Sequence, residues 1–514
     1  MRYRMMAKLL VILAVLALGP GIAPARAQTA PDTYFVPGQV IISGLPAEID
    51  AVVRASGLPL SPIRDAQSGQ RAEIDLSYTD ALPMMPGFPF ATRRGLVIRL
   101  YSGPVDVVPA VNSLNRIAQS INGGVNVRAE LNNVVGRDPA LVKGSPWSVG
   151  GSPWSVGGSP WSVGGSSAAG STSAAESFLD QWAFGPDGVG LFEGTGEKRR
   201  RTVAADGSDV QVAIFDTSPF TLPVGITTDV EMIDWITPPL KLDVRHPTLW
   251  GQAKLPVPNP AVDESDHGLF IAGIIHVIAP ASEIRLVRVL NDYGQGDMFS
   301  LCHALHAFIS GQAALGRRGV INLSLGVFPP PPSAATQGLP KELSALETAI
   351  MSAEGAGIMV AAAAGNQAAS ASPLPDQQLP AGYDTVIGVA GSTSGRERSC
   401  FSNPGDLAAP GGDGVLPGCT PDLSGCKGSC DLAIISLAAT KASPGDGYVY
   451  WLGSSFAAPF ASGAAALLLD QYDGKMAPDE MRAWIAKGAT RPHLQASDTS
   501  LGAGIISLPQ ILSP

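Results

Sequence analysis

The sequence predicts an α/β protein: a central parallel sheet flanked by helices, preceded by a smaller α/β unit. Three observations lead there. From Phe178 onward, strand-like runs that are apolar throughout (DVQVAIFD, EIRLVRVL, GVINLSLG, GIMVAAAAG, TVIGVAG) alternate with helical segments. Strands covered by helices on both faces read this way. Residues 28–140 carry a shorter strand–helix alternation of their own, and a Gly/Ser/Pro-rich stretch separates the two regions.

At the N-terminus, Arg2, Arg4 and Lys8 precede the apolar run LLVILAVLALG and then Ala25-Arg26-Ala27. A basic start, a short apolar core and a small-x-small site read as an export signal cleaved near Ala27 (residues 1–27), giving a secreted or periplasmic protein without a stable membrane span. In residues 28–140, VPGQVIISG, GLVIRLYSG and GVNVRAELNNVV read as strands, and PAEIDAVVRASG and VDVVPAVNSLNRIAQSI as helices. The expectation is a small sandwich with helices on one face and no clustered catalytic side chains.

Residues 141–177 form the joint. GSPWSVGGSPWSVGGSPWSVGG, from Gly144 to Gly165, writes one unit three times and is followed by GSSAAGSTSAAES. Gly and Ser make this a flexible linker, and the Pro of each unit discourages helix and strand pairing. Residues 178–514 form the large domain. The chain has 514 residues, 45% hydrophobic and 15% charged, and a formal net charge of -10. That composition excludes a disordered chain, and the charge argues against nucleic acid as a partner, since phosphate neutralisation needs concentrated Lys and Arg.

Four of the five cysteines, Cys400, Cys419, Cys426 and Cys430, fall in one Gly/Pro/Asp-rich region. With no His among them and no CxxC spacing, they read as two disulfides of an exported protein, with three connectivities open. Cys302 is left over, within a predicted helix. His303 and His306 sit beside it, three apart, with no third ligand near in sequence to make a metal site.

Four strand ends or helix starts carry the candidate chemistry. Asp216 ends the strand DVQVAIFD, and His267 opens the apolar helix of DHGLFIAG. Asn366 ends IMVAAAAGN, where its amide can serve as an oxyanion donor, and Ser455 stands at the start of the helix in GSSFAAP. A serine there has its own backbone N–H free to face an oxyanion. Taken singly, each has an ordinary structural reading as a cap or turn residue.

Taken together, and in the order Asp, His, Ser, these segments resemble the subtilisin-like serine proteases. RLVRVLNDYGQG and NLSLG add two further matches to that family. The resemblance implies a subtilisin-like catalytic domain that hydrolyses peptide bonds through an acyl-enzyme. Asp216, His267 and Ser455 would form the triad, and Asn366 with the N–H of Ser455 the oxyanion hole. Ser324, Leu325 and Gly326 would pair with an extended protein or peptide substrate. It also implies that residues 28–140 are a ferredoxin-like prodomain, a chaperone and temporary inhibitor acting in cis on a monomer, with maturation by cleavage within 138–177. No catalytic cofactor or metal enters this chemistry; structural calcium is common in relatives, and no dense acidic loop names its ligands here.

The chain departs from the family pattern. Ser218 and Pro219 follow the aspartate segment, Leu269 and Phe270 follow His267-Gly268, Ser454 and Phe456 flank Ser455, and Phe460 lies one turn on. None removes a reacting group, but all alter the walls of the site. They keep open a second reading, a catalytically degenerate exported protein that binds peptide or glycan on the same fold.

Overall fold

The computed structural model describes residues 34–66, 68–81, 95–122, 127–136, 178–255, 264–330, 333, 336–340, 343–368, 373–412, 433–439, 447–491 and 499–513. The repeat, the export signal and Cys419, Cys426 and Cys430 lie outside the described residues.

The N-terminal unit runs β1 (Phe35–Gly44), α1 (Pro46–Ser56), β2 (Ser61–Pro62), β3 (Glu73–Asp75), β4 (Val97–Ser102), α2 (Val107–Asn122) and β5 (Arg128–Gly136). Its antiparallel core follows the order β5-β1-β4-β2. Successive side chains of a strand point to opposite faces, and β1 is apolar on both. Val40 and Ile42 join Ile49 and Val52 of α1 and Val111 and Leu114 of α2 in one core, which puts both helices on one face. Ile41, with Ile98, Leu100 and Val135, faces the other way into a cluster belonging mainly to the large domain.

The large domain is built on β6 (Gln211–Asp216), β7 (Thr228–Ile233), β8 (Leu240–Arg245), α3 (His267–Ile278), β9 (Glu283–Arg288), β10 (Gln295–Asp297), α4 (Met298–Leu315), β11 (Gly319–Leu323), β12 (Gly326–Val327), α5 (Ser344–Gly355), β13 (Ile358–Ala363), β14 (Val386–Ser392), β15 (Leu407–Pro410), β16 (Ile434–Leu437), β17 (Tyr448–Trp451), α6 (Ser454–Gln471) and α7 (Pro478–Gly488). Eight of these strands make the main sheet, in the order β15-β14-β13-β11-β6-β9-β8-β7. All neighbours are parallel except the edge pair β8–β7. The apolar strand runs are explained by burial on both sides. Val212 and Ile214 of β6 face α3 and α6, and Ala213 and Phe215 face α4 and α5. GVINLSLG, read as one strand, breaks at Ser324-Leu325 into β11 and β12.

The two units share a sheet. The end of β5 lies antiparallel to both β10 and β12, with Gly136 opposite Gln295 on one side and Gly326 on the other. Polar side chains of β5 also reach the large domain's helix starts. Asn132 Oδ1 accepts the Phe299 N–H at 2.9 Å, and its amide donates to Asp297 Oδ1 at 3.0 Å. Glu130 Oε1 accepts the Ala345 N–H at 2.8 Å. These are the N–H groups that a helix cannot satisfy internally.

Buried titratable groups mark the same interface. Burial pushes the Glu130 carboxyl up to about 7, against the lowering pull of the Ala345 N–H and Arg128, with Glu347 adding to the rise. On α4, burial and the neighbouring His303 push His306 down to about 3, and its Nδ1 shares a hydrogen bond with Tyr78 Oη of the N-terminal unit. His303 is lowered by burial as well. The signs oppose one another. The contribution of Glu130 is present below its ordinary 4.5 and is lost as pH rises through about 7. Those of His306 and His303 are present above their ordinary 6.5 and are lost on acidification. With the full chain kept intact by Ser455→Ala, Glu130→Gln is therefore expected to lose stability more steeply than its Glu130 parent as pH falls from about 6.5 to 4.5, read from urea midpoints. Parallel profiles in that window would contradict the assignment.

Candidate active site

The parallel sheet delivers three candidate groups to one end. Asp216 is the last residue of β6 and has no solvent exposure. Its Oδ1 accepts the Thr217 N–H at 2.7 Å and the His267 Nδ1–H at 2.7 Å. His267 is the first residue of α3, which approaches β6 closely because residue 268 is glycine. A Cβ there would lie 2.3 Å from Thr217 O and 3.1 Å from Asp216 Cβ. Thr217 ties the two elements from the other side. Its hydroxyl donates to Glu264 O and Ser265 O, both at 2.9 Å, and accepts the Gly268 N–H at 3.2 Å.

Burial alone pushes the His267 imidazole down. The charge of Asp216, its hydrogen bond and the charge of Glu264 outweigh that, and the net shift is upward from 6.5. With Nδ1 on Asp216, Nε2 is buried and has no hydrogen-bond partner among the described residues. That is the tautomer and orientation a general base requires.

Ser455 is the second residue of α6 and is fully buried. Its Oγ donates to Ser324 O at 3.3 Å rather than to His267 Nε2, and Ser324 Oγ donates to Ser455 O at 2.6 Å. Ser324 Oγ itself accepts from Asn322 Nδ2 at 2.9 Å, and Asn322 Oδ1 accepts from Ser462 of α6 at 2.9 Å. This chain of bonds fixes the start of α6 against the end of β11. Asn366 stands alongside: its Oδ1 accepts the Ser454 N–H at 2.9 Å, and the Gly365 N–H donates to Ser454 Oγ at 3.1 Å. Asn366 Nδ2 lies beside the residue before the helix, 3.4 Å from where a Cβ on Gly453 would be. Ser324, Leu325 and Gly326 lead from this point into β12 and the strand pair with β5.

Two of the departures noted in the sequence, Phe270 and Phe456, meet in one feature. Phe270 and Phe456 pack together with ring centroids 4.5 Å apart, and Trp451 stacks on both at 5.1 and 5.6 Å. Trp451 and Phe456 also lie against the His267 ring at 5.9 and 5.3 Å. The aromatic wall is continuous and carries the imidazole on its face. Trp451, Thr217 and Glu264 were not singled out from sequence. Thr217 and Glu264 lie beside the motifs, whereas Trp451 is far from His267 in the chain and had no local signal.

Other candidates fall elsewhere. Cys302 is a free, buried thiol on α4. Cys400 packs against the main core, while its three candidate partners fall outside the described residues. Among the described residues no group of three or more His, Cys, Asp or Glu side chains is placed to hold a metal ion, and no helix is long and apolar enough to cross a membrane.

The chain is similar to known proteins. The subtilase family model matches residues 249–504, which include His267, Ser324, Asn366 and Ser455. Subtilisin from Bacillus pumilus is 31% identical over 247 residues, covering 45% of this chain and 74% of that protein. Subtilisin E from Bacillus subtilis (strain 168) is also 31% identical over 247 residues, and there the match spans 54% of the relative. The crystal structure of fervidolysin from Fervidobacterium pennivorans, a keratinolytic enzyme related to subtilisin, overlays with a TM-score of 0.51 at 17% identity, over 94% of this chain and 62% of that one. That likeness speaks to fold alone, but the sequence matches go further: the chain belongs to the subtilase family and is a subtilisin-like serine protease.

Proposed function

We propose that the chain is made as an exported zymogen whose large domain hydrolyses peptide bonds through an acyl-enzyme on Asp216, His267 and Ser455. The observation that carries this is the His267 Nδ1–Asp216 Oδ1 bond, which leaves Nε2 bare beside the start of α6. In the reaction, Ser455 Oγ turns from Ser324 O to His267 Nε2 and gives up its proton as it attacks the scissile carbonyl. Apo contacts of this kind commonly tighten only when substrate is bound. Asp216 holds the ring and stabilises the imidazolium, which then protonates the leaving amine. The Ser455 N–H and the Asn366 amide receive the oxyanion. Water then repeats the sequence on the acyl-enzyme, with His267 again as base.

Residues 28–140 act as the prodomain in cis. In support, β5 lies between β10 and β12, the latter preceded by Ser324, which bonds Ser455, and the unit buries an apolar face on α4 and α5. The export signal and the Cys400, Cys419, Cys426 and Cys430 disulfides belong to the same reading, because an oxidising compartment lets such bonds persist.

A fluorophosphonate probe is expected to label the wild-type chain and to leave Ser455→Ala unlabelled. N-terminal sequencing of secreted wild type should begin within 138–177. Absence of label would favour the degenerate binding protein, and an intact wild-type chain alongside an intact Ser455→Ala chain would contradict autoprocessing.

The pH profile tests Asp216. His267 must be neutral to act as base, so activity is expected to fall with acidification through a value above 6.5. Asp216→Asn removes the charge that raises the imidazole, and should move this limb to lower pH while cutting kcat by about ten-thousand-fold. An unmoved limb would separate Asp216 from the base. Asn366→Ala is expected to lower kcat by about 10²–10³, the range measured for removal of one oxyanion donor in a subtilisin, with KM little changed. A change confined to KM would argue against oxyanion contact.

A further inference from the structure

One edge of the main sheet carries an apolar surface that the catalytic steps do not use. Eight large hydrophobic side chains are exposed among the described residues, and five of them, Val224, Ile226, Val230, Met232 and Trp235, fall between residues 224 and 235. Clustering of this kind marks an interaction surface, where scattered single residues would not. The segment is β7 with its two flanks. β7 ends the sheet order, paired with β8 on one side and with no strand on the other among the described residues. The His246 N–H donates to Thr227 O at 2.8 Å. By the alternation of an antiparallel ladder, the backbone groups of Thr228, Val230 and Met232 then point away from β8. The Val230 N–H turns back onto its neighbour's carboxylate, Asp229 Oδ1, at 2.8 Å in an exposed contact. An exposed edge with apolar side chains is a template for pairing with another segment.

The two ends of residues 137–177 point to an occupant. The segment leaves from Gly136, where a Cβ would sit 2.2 Å from Gly294 O and 2.9 Å from Leu290 Cδ2, in the loop that follows β9. In the sheet β9, β8 and β7 are consecutive, so β7 lies two strand spacings from β9, about 10 Å. The segment returns at Phe178, whose ring centroid is 5.1 Å from that of Tyr448. The residue before Tyr448, Gly447, lies against Trp235: a Cβ there would sit 2.4 Å from the indole Nε1. Both ends therefore approach the same edge. The sequence between them suits it. Each repeat unit is uncharged and sets a Trp and a Val two residues apart, as in Trp154 and Val156. Val230 and Met232 have the same spacing, which puts them on one face of β7. A second copy of the chain suits it poorly. Antiparallel self-pairing centred on Val230 would set Asp229 against Glu231 of the other copy twice, and like charges directly opposite are destabilising.

We propose that one SPWSVGG unit of the repeat docks on the β7 edge, laying its Trp and Val over Val230 and Met232 and shielding them from water and from other chains. The Pro before and the Gly pair after limit the pairable stretch of each unit to three residues, so docking is weak and any of the three units serves. The Met232 thioether adds a favourable contact to an indole ring. Trp147, Trp154 and Trp161, which a bare spacer does not need, then have a partner, and none of this depends on the catalytic chemistry.

The test uses the full chain carrying Ser455→Ala, which keeps it uncut. A photoreactive benzoylphenylalanine replaces Val230 or, as a control, Leu315, which is exposed at the end of α4. After irradiation at low protein concentration and peptide mapping, position 230 is expected to be joined to residues 144–165 of the same chain about tenfold more often than position 315. Trp147→Ser, Trp154→Ser and Trp161→Ser together should cut the yield at position 230 by about tenfold, because buried tryptophans carry most of the energy of such a contact. Cross-links to the repeat that form equally at both positions, cross-links from position 230 that join two chains instead, or a yield that survives the tryptophan substitutions would each overturn the proposal.

Discussion

A carboxylate with no access to water depends on protein donors, and Asp216 takes two, the Thr217 N–H and the His267 imidazole, both on Oδ1, while its buried Oδ2 has no hydrogen-bond partner among the described residues. Leaving a charge buried without partners would cost several kcal/mol, so the pair constrains everything near it. It requires α3 to begin within hydrogen-bond reach of the end of β6, which in turn requires Gly268 and the Thr217 cross-tie. The central position of β6, between β11 and β9, holds the carboxylate still from both sides. A rigid sheet end is thus converted into a fixed orientation for one imidazole.

Much of this was legible from the chain. The strands covered on both faces announced themselves as unbroken apolar runs, and the reacting residues sat where those runs stop. The break at Ser324-Leu325 was not visible, because both halves are apolar enough to continue a strand. What interrupts them is a tertiary demand: Ser324 uses its hydroxyl and carbonyl on Ser455. Trp451 was hidden for a related reason. It owes its importance to residues far away in sequence, so no local period or spacing marks it. Phe270 and Phe456 could be seen as departures, but only the fold shows that they pack with Trp451 as a set. A wall of three rings is self-consistent in a way that any one substitution is not.

The N-terminal unit illustrates how surface can be read from a strand that is apolar on both faces. β1 cannot satisfy such a pattern with α1 and α2 alone, since they cover one side. The second face is completed by α4 and α5, and the polar positions Glu130 and Asn132 on β5 meet the unsatisfied N–H groups at those helices' starts. Apolar burial and helix capping therefore specify the same docking position independently, which fixes the register of β5 in the cleft.

That β5 is covalently part of the chain it pairs with has a consequence for its hold on the cleft. As long as the peptide path from Gly136 to Phe178 is intact, dissociation of the strand is a unimolecular opening. The cleft then sees its occupant at an effective concentration of about millimolar, whatever the protein's dilution. Once any bond along that path is cut, rebinding becomes a collision between two molecules and scales with their real concentration. The same contacts that are hard to escape before cleavage become sensitive to dilution afterwards, with no change in any of them.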